Sequence, residues 1–183
     1  MNVGESNLPI YAVCSDEQAE RFRKRTEEGH WDLLSYEVFW RERYNYLKSQ
    51  GYLLRPRFRP GWTPSWLGTN RNPRYCEDSI CSMLSEVIDA TRLSDGTRVM
   101  LKTVSHLDNE IPIGRLLSRD EVADDPTNHC VPVYQVLQDP FEKSKAVIIM
   151  KYLRPFNDPE LRTIGEAIDF VFQTLEVSLL SLV

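Results

Sequence analysis

The 183-residue sequence predicts an α+β chain, and three observations carry that expectation. Residues 15–50 have helical period, with Phe22, Trp31, Leu33, Leu34, Val38, Phe39, Tyr44 and Leu47 recurring at three- and four-residue steps among charges. Residues 158–182 repeat the pattern with Leu161, Ile164, Ile168, Phe172, Leu175 and Leu179. Between them, Glu86–Arg92 and Thr97–Val104 alternate as strands do, around a Ser94-Asp95-Gly96 turn. Asp-Gly between two such runs is a strong hairpin signal, because glycine accepts the positive φ that the turn requires.

In chain order, Ser15-Asp16-Glu17 supplies a helix N-cap region, since a short oxygen side chain accepts the first free N–H groups. Gly29-His30 divides the helical stretch in two, and Gln50-Gly51 ends it. Tyr52–Tyr75 holds Pro56, Pro60, Pro64 and Pro73, which forbid a continuous helix. The same stretch has five arginines, no acid, and Trp62 and Trp66. Two readings stay open for it. It is an extended strap whose tryptophans pack and whose arginines answer acids elsewhere, or a stacking surface for single-stranded nucleic acid. Tyr75–Leu84 is expected as the first strand and the loop entering the hairpin. Asp108–Arg119 starts like a helix, with Asp108 or Asn109 to cap it and Pro112 in its first turn. Asp124-Asp125-Pro126 and Asp139–Lys143 read as turns. His129 beside Cys130 is expected to be a packed residue, because strand neighbours point to opposite faces.

Composition bounds the function. The chain is 42% hydrophobic and 27% charged, ordinary values for a globular domain. A net charge of −5 and a pI near 5.3 argue against nucleic-acid binding over the whole surface. No apolar run approaches the ~20 residues that cross a bilayer. The first 18 residues lack the basic start and apolar core of a signal peptide. The expected address is the cytoplasm, with no membrane partner. Cys14, Cys76, Cys81 and Cys130 have no zinc spacing and read as free, mostly buried thiols.

The hairpin's second strand ends Val99-Met100-Leu101-Lys102. That run resembles the Val-Ala-Ile-Lys of the protein-kinase N-lobe, with Met100 at the usual alanine. Asp108–Arg119, then Asn128–Val133, then Ala146–Leu153 resemble the kinase αC helix, fourth strand, and fifth strand with hinge, in that order. Ile168–Glu176 resembles the first long helix of the C-terminal lobe. Upstream, Phe39–Arg43 and Arg55–Trp66 are similar to the leader of a protein-kinase-like group frequent in mushroom-forming fungi. The resemblance implies a five-stranded antiparallel sheet with one αC-type helix over 75–157, after a leader over 1–74 and before a partial C-lobe helix over 158–183.

It also implies a partial ATP site. Lys102 would meet the α- and β-phosphates and pair with a helix glutamate. Glu110 heads the matching Ile-x-Ile-x-x-Leu-Leu pattern, while Glu121 has the better spacing from the lysine. Adenine would lie against the hinge backbone of Lys151, Tyr152 and Leu153, under Val87 and Met100, with Met150 as gatekeeper. Ile80, Ser82 and Ser85 stand where the family's phosphate-loop glycines belong. The His-Arg-Asp and Asp-Phe-Gly elements that supply the base and hold magnesium do not occur in the sequence. The family transfers phosphoryl groups from ATP to protein Ser/Thr. This chain is expected to be a non-catalytic member with no catalytic residues and no magnesium site of its own. The alternative is a binding or scaffolding module that uses the Arg/Trp strap or the last helix. That helix would meet a protein partner or a second copy through Ile164, Ile168, Phe172, Leu175 and Leu179.

Overall fold

The computed structural model describes residues 9–82, 84–126, 128–153, 158 and 160–180, with the backbone alone at 177–180. Five strands in one sheet and five helices make the described chain α+β. It divides into two compact units, Met1–Ser85 and Glu86–Val183. Among the described residues, no helix is long and apolar enough to cross a membrane.

In the first unit the helical stretch is two helices, α1 (Asp16–Glu27) and α2 (Ser35–Ser49). Ser15 Oγ accepts from Gln18 N, and Ser15 N donates to the Gln18 side chain, closing a capping box. The break falls at Gly29, φ +82°, and α2 runs out before Gly51, φ +92°. Trp40, Tyr44 and Leu47 share one buried stripe of α2, which packs on the short strand β1 (Tyr52–Leu54) and on a 3-10 turn, Pro56–Phe58.

The described residues of 75–84 form no strand. Two 3-10 turns, Pro73–Tyr75 and Glu77–Ser79, occupy the start of this stretch. Local hydrogen bonds win there. Asn72 accepts from Arg74 N through its side chain, and Ser79 Oγ donates to the carbonyls of Pro73 and Cys76. Such short polar side chains offer the backbone an alternative to a ladder.

The strap is tied down by its own polar groups. Trp66 is buried and donates to Thr26 Oγ1 at 3.0 Å. Asp78 accepts from Trp62 Nε1, Ser65 N and Ser65 Oγ at 3.0, 2.8 and 2.7 Å. Arg57, 0% exposed, pairs through both arms with Glu37, also 0% exposed, at 3.0 and 2.8 Å. It also donates to the carbonyls of Trp31 and Asp32, both at 3.1 Å, and to that of Asp78 at 3.5 Å. Glu37 also accepts from the backbone of Leu34 and Ser82. Burial pushes the Glu37 carboxyl up, but the Arg57 guanidinium and the two backbone donors outweigh it and hold it below the usual range.

The second unit is built on β2 (Val87–Arg92), β3 (Arg98–Ser105), β4 (Val133–Gln138) and β5 (Lys145–Lys151). They lie antiparallel in the order β2-β3-β5-β4. The hairpin strands fall within a residue of expectation. Asp95 fixes their turn by accepting from Thr97 N and from Arg92, with Gly96 at φ +72°. β4 starts only at Val133, so Asn128–Pro132 is the segment before it rather than the strand itself. Asn128 is spent on capping: its side chain donates to the carbonyls of Leu117 and Val122.

The expected helix over 108–119 is α3 (Glu110–Leu117), followed by a short α4 (Asp120–Ala123) that contains Glu121. Asn109 sits at the cap position but makes no capping bond, and Asp108 instead accepts from Ser105 N. The last helix, α5, is described over Ile164–Leu180 and starts six residues later than the periodicity suggested. Thr163 Oγ1 accepts from Glu166 N and Glu166 answers at Thr163 N, a capping box six residues into the expected helix.

Candidate functional site

Strand alternation sorts β3 into two faces. Val99 and Leu101 point one way and are fully buried. Met100, Lys102 and Val104 point the other way, and register places Val87 and Ile148 on either side of Lys102. Asp89 and Met150 flank Met100 in the same manner. Half of this face is covered. Val104, Ala146 and Ile148 form a cluster with Ile111 of α3, and Val133 and Val136 pack against it. The other half, with Val87, Met100, Lys102 and Met150, is half-exposed.

α3 is seated closely on β4. A Cβ at Gly114 would stand 3.1 Å from Val133 Cγ2, so glycine lets the helix approach. Ser118 Oγ, just past the helix, accepts from Val133 N at 2.9 Å. This seat carries the helix N-terminus to β3. Lys102 Nζ lies 2.5 Å from Glu110 Oε1, an ion pair at the boundary of the covered and open halves. Glu110 rather than Glu121 is therefore the partner of Lys102. The side chains are 29% and 43% exposed. A pair so placed contributes at most about 1 kcal/mol to stability. Its geometric effect is larger, since it holds an ammonium over an open, apolar-flanked strip.

The remaining expected residues fall around this pair. Met150 faces Met100 across the β3–β5 pairing. Lys151 lies opposite Val99 and so projects on the far face; only its backbone borders the Met100 strip, and its N–H donates to Pro132 O. Tyr152 and Leu153 follow the strand end. Tyr152 lies under Arg98, whose Cζ is 4.9 Å from the ring centroid, and Arg98 pairs with Asp89 at 2.9 Å. Sequence reasoning missed Asp89 and Arg98. The clue was the register of the hairpin, which puts an acid beside Met100 and a cation beside the strand end. Ser82 spends its N–H on Glu37.

No family model and no curated protein matches this chain.

Other candidates separate from the site. His129 is half-buried and its Nε2 meets Glu176 Oε2 of α5 at 2.6 Å. All four cysteines are free thiols: Cys14 and Cys76 are buried, Cys130 is half-buried and Cys81 is exposed. Among the described residues no group of three or more His, Cys, Asp or Glu is placed to hold a metal ion. On α5, Ile164, Ile168, Phe172 and Leu175 are exposed by 81, 48, 61 and 55%. The side chain of Leu179 lies outside the described residues.

Proposed function

We propose that the second unit is a nucleotide-binding lobe of protein-kinase type that takes ATP on the open strip beside Lys102. The single observation that carries this reading is the Lys102–Glu110 pair at 2.5 Å, formed between a strand lysine and the first turn of the helix packed on the same sheet face. A strand lysine with a solvated surface role needs no such partner. A phosphate-binding lysine does, because a fixed ammonium loses less freedom when the anion arrives. The half-exposed strip of Val87, Met100 and Met150 offers a purine ring an apolar surface, and the Lys102 ammonium beside it offers the phosphates a cation. ATP would bring a transferable phosphoryl group. The sequence offers no His-Arg-Asp or Asp-Phe-Gly to activate an acceptor or hold magnesium, so binding is assigned to this chain and turnover is not.

The test compares ATP with adenosine by calorimetry in wild type and Lys102→Ala. ATP should lose affinity by about tenfold or more and adenosine by less than about twofold, since only the phosphates lose a charge partner. Equal losses, or no affinity for ATP in wild type, would overturn the reading.

A second reading is favoured by α5. Six large apolar side chains exposed on one helix, Phe170 and Val171 besides the four of the stripe, are the mark of an interface. We assign that stripe to contact with a second copy or a protein partner.

A further inference from the structure

The first unit contains a cavity of about 500 Å3 that plays no part in the reading above. Its walls are Trp31, Leu33, Val38, Trp62 and Pro64, and Arg57 lines it as well. The charge of Arg57 is spent on Glu37, leaving nothing for a ligand. Arg41 and Arg59 are different. Both line the cavity, both are exposed, and among the described residues neither guanidinium makes a hydrogen bond, ion pair or ring contact. Arg23, Arg55 and Arg57 of the same unit are paired, with Glu20, Glu77 and Glu37. Two guanidiniums without such a partner thus stand at the mouth of an aromatic-walled cavity.

We propose that this groove binds a short acidic peptide segment of a partner protein. Guanidinium forks match carboxylates in geometry and hold them by two parallel bonds. The indole walls of Trp31 and Trp62, with Leu33 and Val38, take an apolar side chain or a proline ring. A volume of this size suits two or three residues. Asp32 also lines the groove, and its carboxylate has no partner among the described residues. It can accept from peptide N–H groups, donors that a nucleic-acid backbone does not offer. That separates an acidic peptide, with spaced carboxylates, from a nucleic-acid strand.

The test is anisotropy of a fluorescein-labelled peptide, Glu-Glu-Leu-Pro-Glu-Glu, with the full chain. Its Lys counterpart and a labelled oligothymidylate of six nucleotides serve as comparisons. Saturable binding of the acidic peptide is expected. The variant Arg41→Glu with Arg59→Glu should weaken it by about tenfold or more. The charge-matched variant Lys48→Glu with Arg74→Glu, outside the groove, should change it by less than about twofold. Because Arg41 and Arg59 are exposed and unpaired, the first variant should keep the wild-type melting curve, which is measured alongside. No saturable binding up to about 1 mM, equal loss in both variants, or tighter binding of the oligothymidylate would overturn the proposal. Self-association abolished by the groove variant alone would also overturn it, since the occupant would then be a second copy.

Discussion

Arg57→Ala breaks a buried ion pair from one side. The guanidinium it removes makes two bonds to Glu37 and also donates to the carbonyls of Trp31, Asp32 and Asp78 and to Cys81 Sγ. Glu37 would remain in a site with 0% exposure, with only the N–H groups of Leu34 and Ser82 to answer it. Breaking such a pair from one side costs about 3–5 kcal/mol, because a charge is left buried without a partner. That is a large share of the ~5–15 kcal/mol by which domains are stable. Replacing both partners with apolar residues, Arg57→Met with Glu37→Leu, should recover most of the loss. All four tryptophans, Trp31, Trp40, Trp62 and Trp66, lie in the first unit, so their fluorescence in a urea titration reports that unit alone. A loss below about 1 kcal/mol in Arg57→Ala, or a double variant no more stable than the single, would refute the reasoning.

The same pair predicts an acid limit. Glu37 has its carboxyl pKa lowered in the folded chain, so its contribution is present above the unfolded value of about 4.3 and is lost as pH falls through the folded value. Tryptophan-detected unfolding should therefore show stability falling with acid in wild type, and less steeply in the Arg57→Met, Glu37→Leu variant. For α5, Phe172→Asp with Leu175→Asp should convert a self-associating wild type to a monomer in sedimentation velocity. A wild type that is already monomeric and as stable as the variant would remove the second copy from the account.

Much of this fold was legible because it follows from short-range rules. Ser15, Gly29 and Gly51 mark the ends of α1 and α2 through caps and positive φ, both readable from residue type. The Asp95-Gly96 hairpin was equally local. Tyr75–Leu84 was not legible, because its side-chain bonds from Asn72 and Ser79 compete with a ladder in a way that apolar content does not reveal. The strap could be read in two ways because sequence cannot say which arginine is buried. Arg57 is, and it meets a glutamate twenty residues away on α2. At the candidate site, Lys102 and Glu110 were named from the sequence, but Glu121 competed on spacing. What decides for Glu110 is the seat of α3 at Gly114 against Val133, a close approach no linear spacing encodes. Asp89 and Arg98 were missed for the same reason, since their place follows from hairpin register.

The central claim, ATP on the Lys102 strip, is tested most directly by backbone amide chemical shifts during an ATP titration of the full chain. The account predicts saturable shifts concentrated at Val87, Met100, Lys102 and 150–153, with Glu110 following as its partner is drawn to phosphate. Absence of shifts at millimolar ATP, or shifts confined to the first unit, would contradict it.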